Sequence, residues 1–254
     1  NVLRATDRRV WQNCLYTLDG DGDVIEVWNQ WDHLCAGSAG PGPHRLRISP
    51  YDPEHRVWLV NETFHQIYVF SNDGSELLMT LGEKNTPGDD ETHFGRPQDV
   101  AFLPDGRILV ADGLDNHRVI ILDSDANYLS EFGGRGDGPG KFNGVHAIAV
   151  GPDGLIFALD RSGGRVNVFR TTDDPKEVEF VDTWGGRGMA LDVIVNEDSI
   201  WVSMLQPLRF VKWDFEGDRL YTWHVPREQF LEVHTITVDS DGNLYGGDNQ
   251  YGRT

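Results

Sequence analysis

A repeat constrains a fold more tightly than any single residue, because every copy must be satisfied by the same local structure. Here Pro97-Gln-Asp-Val-Ala-Phe-Leu-Pro-Asp-Gly106 aligns with Val145-His-Ala-Ile-Ala-Val-Gly-Pro-Asp-Gly154. The sequel repeats too. Arg107-Ile-Leu-Val-Ala-Asp112 matches Leu155-Ile-Phe-Ala-Leu-Asp160, Arg118-Val-Ile-Ile-Leu122 matches Arg165-Val-Asn-Val-Phe169, and Phe132-Gly-Gly134 matches Trp184-Gly-Gly186. Each copy holds short runs of alternating or β-branched residues parted by Pro-Asp-Gly, Asp-Gly and Gly-Gly turns, with no long helical period. That pattern predicts four-stranded antiparallel meanders, the blades of an all-β propeller.

Further copies begin near Pro43-His-Arg-Leu46, Ala190-Leu-Asp-Val193 and Val233-His-Thr-Ile236, a period of roughly 45 to 50 residues. Blades are expected near 1–40, 41–94, 95–142, 143–187, 188–230 and 231–254 of one domain. The outer copies are incomplete. Residues 1–30 read as second, third and fourth strands (Val2-Leu-Arg4, Cys14-Leu-Tyr-Thr-Leu18, Val24-Ile-Glu-Val-Trp28), and the last copy stops after a second strand, Asn243-Leu-Tyr-Gly-Gly-Asp248. The two partial copies could close into one blade of a five-bladed ring or stand as two of six; the histidine pattern below favours six. The chain opens at Asn1 rather than Met, so a trimmed chain is expected, with about one strand upstream of Asn1 and two downstream of Thr254.

Charge narrows the function classes. Lys and Arg total 22 against 41 Asp and Glu, a formal net charge of −19, so phosphate neutralisation would work against the protein's own field. Nucleic acid and anionic membrane surfaces are disfavoured as partners. No apolar run approaches the roughly 20 residues needed to cross a bilayer, and no Gly-x-Ser-x-Gly elbow or phosphate-binding glycine loop is present. The two cysteines, Cys14 and Cys35, lack Cys-x-x-Cys spacing and read as inert thiols rather than a bridge.

Across the five visible first strands the equivalent residues are His44, Gln98, His146, Leu191 and His234, so histidine falls on every second blade. First strands line a propeller's channel, and in a six-bladed ring alternate blades sit about 120° apart. One such histidine alone would read as a channel residue bonded to backbone or water. Three in strict alternation predict three imidazoles converging with a fourth position open, the ligand set of a catalytic zinc. Iron, copper or nickel would also suit these ligands.

Among other candidates, Arg161 follows Asp160 at a second-strand end and Arg4 ends the corresponding run of the first partial copy, where a guanidinium could clamp a substrate carboxylate. His65, His93 and His117 are candidate substrate contacts near the channel mouth. Asp112, Asp160 and Asp248 recur at equivalent positions and read as loop ties. Asp19-Gly-Asp-Gly-Asp23 lacks the downstream glutamate of a calcium loop and reads as a tight turn.

With these residues in view, the chain resembles the NHL-repeat propellers and, within them, the peptidyl-α-hydroxyglycine α-amidating lyase family. The resemblance runs over essentially the whole chain and is carried by His44, His146 and His234, by His93-Phe-Gly-Arg-Pro-Gln-Asp-Val100, by Phe64-His-Gln-Ile-Tyr68 and by Asp160-Arg161. It implies a catalytic zinc on the three histidines, an active-site arginine at Arg161 and another matched by Arg4. It also implies a secreted or periplasmic protein that acts on a small-molecule or peptide substrate, releasing an amidated peptide and glyoxylate. Three departures stand out. The family's proton-transfer tyrosine is Leu114 here, the acidic residue that helps hold a structural calcium is Thr235, and the family's disulfide cysteines are absent. The expectation is a metal-dependent lyase, with a lactone or ester hydrolase on the same metal and a non-catalytic binding scaffold as the alternatives.

Overall fold

The computed structural model describes residues 11–37, 42–225, 232–239 and 241–248. The segment Val2–Arg4, expected as a strand and holding the candidate Arg4, lies outside them. The chain divides into two compact units, Asn1–Pro97 and Gln98–Thr254.

In the first unit, β1 (Tyr16–Leu18) and β2 (Val24–Val27) form a two-stranded antiparallel sheet. Their connection is the Asp-Gly-Asp-Gly-Asp run, closed as a tight turn in which the Asp19 carboxylate accepts from the backbone N–H of Asp21 and Asp23, both at 2.9 Å. A short 3-10 helix, Asn29–Leu34, follows. Then β3 (Pro43–Ile48), β4 (Val57–Asn61), β5 (Gln66–Phe70) and β6 (Leu77–Leu81) form a sheet in chain order. Strands β4 and β5 are buried along their whole length, which their unbroken apolar runs require; β6 alternates between half-buried and exposed. Leu15 and Trp28 pack with Val57, Leu59, Tyr68 and Phe70, so the hairpin and the four-stranded sheet share one core.

The second unit repeats the meander. Strands β7 (Pro97–Phe102), β8 (Ile108–Asp112), β9 (Arg118–Leu122) and β10 (Tyr128–Gly133) make one sheet. Strands β11 (Val145–Val150), β12 (Leu155–Asp160), β13 (Arg165–Thr171) and β14 (Val178–Gly185) make the next. A third comprises β15 (Met189–Asn196), β16 (Ser199–Leu205), β17 (Arg209–Asp214) and β18 (Arg219–His224), and β19 (Val233–Val238) pairs with β20 (Leu244–Asp248). Successive sheets are joined by apolar clusters: Leu109, Ile121, Ile148 and Ile156 in one, Phe157, Val168, Val193 and Val202 in the next, Phe210, Val233 and Ile236 in the last.

Turn chemistry fixes the meander. In Pro104-Asp105-Gly106 the Gly106 N–H donates to the Leu103 carbonyl (3.0 Å), and Gly106 takes φ +91°, which a side chain would strain. Every sheet among the described residues is antiparallel, and among them no helix is long and apolar enough to cross a membrane.

Candidate metal centre and its rim

The histidines sit where first strands break register. On β3 the pairing steps from Pro43↔Asn61 to Arg45↔Val60, leaving His44 as the extra residue; on β19 it steps from Val233↔Asp248 to Thr235↔Gly247, leaving His234. On β11, His146 and Ala147 lie between the pairs Val145↔Asp160 and Ile148↔Ala158, two residues against one. Leu191 is the extra residue on β15. A β-bulge bends its strand and re-aims a side chain out of the ordinary pleat.

Within the second unit the bulges bring His146 and His234 together, with ring centroids 4.9 Å apart and planes at 80°. Each ring is anchored through Nδ1. For His146 the partner is the Leu191 carbonyl at 2.5 Å, and for His234 it is the Glu232 carboxylate at 2.9 Å. Both partners only accept, so each Nδ1 carries the proton and, in the neutral ring, the lone pair stands on Nε2. That is the arrangement of metal-binding histidines, whose second ring nitrogen donates to a carbonyl or carboxylate. His146 is 2% exposed and His234 half-buried. His44 is half-buried at the matching bulge of the first unit.

Two buried carboxylates that the sequence reading passed over hold these strands in register. Asp99, on β7, accepts from the backbone N–H of Ile148 on β11 at 3.2 Å. Asp192, on β15, accepts from the N–H of Ile236 on β19 at 2.8 Å and from the Thr235 hydroxyl at 3.1 Å. Each backbone bond falls two residues past a histidine, and each aspartate begins an Asp-Val pair, Asp99-Val100 or Asp192-Val193, a recurrence that could have marked them. Thr235, which stands where the resemblance leads one to look for a calcium ligand, is thus a donor to Asp192.

The loops flanking these first strands pack on one another. Arg161 donates its backbone N–H to the Gly144 carbonyl (2.8 Å) and accepts from Ala190 (3.1 Å), latching its turn between the strand entering β11 and the start of β15. Its Nε is buried and has no hydrogen-bond partner among the described residues. Leu114 lies over Gly144: a Cβ there would come 3.2 Å from Leu114 Cδ2 and 4.0 Å from Arg161 Cβ. Next to Leu114, Gly113 admits no side chain, since a Cβ would stand 1.7 Å from the Val145 carbonyl oxygen. The same turn ends at His117, which takes a left-handed φ of +57°. Its Nδ1 is buried and without a hydrogen-bond partner among the described residues. Burial, then the Arg135 guanidinium, hold the His117 imidazole below the usual histidine range, against the pull of Asp115 and Asp160.

His65 and His93 lie in the first unit. His65, also left-handed (φ +59°), accepts the Arg96 backbone N–H on Nδ1 at 3.0 Å. His93 is held between Asp90 (2.9 Å) and Glu83 (3.5 Å) in a polar loop. Asp112 and Asp160 are fully buried loop ties, bound to Arg118 Nε (2.9 Å) and Arg165 Nε (3.0 Å).

Comparison with known proteins agrees with this architecture. The NHL repeat model matches residues 94–122. Over 233 residues the chain is 34% identical to peptidyl-alpha-hydroxyglycine alpha-amidating lyase 1 of Drosophila melanogaster, covering 79% of this chain and 41% of that protein. It is 30% identical over 223 residues to peptidylglycine alpha-amidating monooxygenase of Rattus norvegicus, covering 81% and 22% respectively. The chain therefore spans about a fifth to two fifths of these relatives' lengths. Among solved structures, the Swd1 β-propeller domain of Myceliophteria thermophila superposes with a TM-score of 0.57 at 10% identity, over 82% of this chain and 62% of that one, a likeness of fold alone. The chain carries an NHL repeat, has the four-stranded blades of a β-propeller, and is homologous over most of its length to the peptidylglycine α-amidating monooxygenases and the peptidyl-α-hydroxyglycine amidating lyases.

Proposed function

We propose that this chain is a metal-dependent lyase that cleaves a peptidyl-α-hydroxyglycine to a peptide amide and glyoxylate. The observation that carries the reading is the His146–His234 pair, each ring tied at Nδ1 to an acceptor. Such anchoring sets the tautomer and ring orientation that a metal ligand needs. By equivalence of position in the repeat, His44 on its own first-strand bulge is the third ligand. Zinc is the ion we assign, because three neutral imidazoles suit it. When bound there, it supplies Lewis acidity and lowers the pKa of an oxygen held on it.

The remaining chemistry falls to the chain's own side chains. In the reaction the substrate hydroxyl loses its proton and its carbon becomes the aldehyde of glyoxylate; the C–N electron pair leaves with the nitrogen, which takes up a proton. Arg161, with a buried Nε needing an acceptor, binds the substrate carboxylate and orients the breaking bond. His117 is neutral at neutral pH, since its pKa is held below the usual histidine range, and its imidazole takes up the proton in place of the tyrosine replaced by Leu114. The lyase names of the homologues support the same reaction.

The test combines metal analysis with glyoxylate release from an α-hydroxyglycine peptide. Stoichiometric metal, glyoxylate formation abolished by chelation, and a loss of at least about 100-fold in His146→Ala are expected. Metal without metal-dependent glyoxylate would reject the lyase reaction, and a lactone assayed in parallel would then test hydrolysis. Absence of stoichiometric metal, with no effect of chelation on stability, would leave the binding scaffold.

A further inference from the structure

Cys14 and Cys35 are the only cysteines in the chain, and the fold returns one to the other. Cys14 stands just before β1 and Cys35 just after the 3-10 helix. A single residue holds both backbones: the Cys14 N–H donates to Asp32 Oδ1 at 3.1 Å and the Cys35 N–H to the Asp32 carbonyl at 3.0 Å. Each thiol also bears on the ionisation of the other. Cys35 is 1% exposed, with Asn61 Nδ2 at 3.8 Å from its sulfur, whereas Cys14 is half-buried and open to a reagent.

We propose that Cys14 and Cys35 form a disulfide site that closes the β1–β2 hairpin and the 3-10 helix into one covalent loop, formed by exchange with a low-molecular-weight disulfide such as oxidised glutathione. The Cys14 thiolate attacks one sulfur of the small disulfide, whose S–S bond breaks and releases one thiol. The Cys35 sulfur, giving up its proton, then attacks Cys14 in the mixed disulfide and expels the second thiol. Two protein thiols are oxidised and one small disulfide is reduced to two thiols.

The bond would lie where covalent support has most effect. The hairpin has two strands among the described residues, with Tyr16, Leu18, Val24 and Ile25 exposed, and a two-stranded sheet is marginal in water. Its hold on the unit is the packing of Leu15 and Trp28 against the neighbouring sheet. A link between residues 14 and 35 restricts the unfolded chain while leaving that packing unchanged. Burial, above all, pushes the Cys35 thiol up to about 12 and raises Cys14 as well, so little thiolate is present at neutral pH and closure is slow. The inference is independent of the lyase reading.

The test equilibrates the full chain in glutathione buffers of rising oxidised fraction, alkylates residual thiols, and reads intact mass, a non-reducing peptide map and thermal melting. The expected result is loss of two hydrogen masses, a cross-linked peptide pair containing Cys14 and Cys35, and a melting point about 5–10 °C above the reduced form. Cys14→Ser and Cys35→Ser should each lack the cross-link and melt identically in both buffers. Folded protein whose two thiols both remain alkylatable in the most oxidising buffer would overturn the proposal. So would a stable glutathione adduct on Cys14 with Cys35 still reduced, or a cross-link between two chains.

Discussion

Leu191 and Glu232 anchor two histidines by different means, a backbone carbonyl in one case and a carboxylate in the other. The difference is open to mutation. Glu232→Ala removes the acceptor from His234 Nδ1, lets the ring turn and lowers its basicity; metal affinity should fall by about 10- to 100-fold, read by competition with a chromogenic chelator. No side-chain substitution at Leu191 removes the other anchor, because a carbonyl survives every replacement. Elsewhere, His93 shows how a histidine can be fully occupied without a metal. Its hydrogen bond to Asp90, helped by Glu83, holds its pKa above the usual histidine range. A raised folded value means that the pairing contributes fully below about pH 6.5 and is lost as pH rises through the folded value. An NMR titration of the imidazole should place the midpoint above that of a model histidine, and Asp90→Asn should bring it back down.

At the scale of elements, the strands that bear histidine depend on the strands that do not. Asp192 on β15 receives the Ile236 N–H and the Thr235 hydroxyl of β19, and its own N–H is bound by Ser203 Oγ at 3.1 Å. Asp192, Ser203 and Ile236 are buried, so loss of the carboxylate strands the Ile236 N–H in a medium without water. Asp192→Ala should destabilise the protein by about 2–4 kcal/mol, measured by denaturant unfolding. Amide exchange at Ile236 should accelerate more than at Ile148, whose acceptor is Asp99. The first strands are thus keyed to each other through carboxylates, and a change on a strand without histidine should loosen the histidine on the next.

For the whole molecule, 41 acidic residues against 22 basic ones leave a formal net charge of −19, whose self-repulsion opposes the compact state. Raising salt from about 10 mM to about 150 mM shortens the screening length from about 30 to 8 Å and should raise the melting point by a few degrees, followed by differential scanning calorimetry. The sequence by itself determined that strands repeat in groups of four, because turn residues and β-branched runs act locally and recur in the same order in each copy. It also marked His146 and His234 as equivalent, since equivalence of position survives without knowledge of where the strands go. It could not reveal the bulges that turn those histidines from the pleat, the Leu191 carbonyl that anchors one of them, or the approach of Cys14 to Cys35. Register is set by pairing between strands, a backbone carbonyl looks the same under every side chain, and the distance between two thiols depends on how the chain between them folds back. Those are properties of contact rather than of order along the chain, and only the tertiary structure decided them.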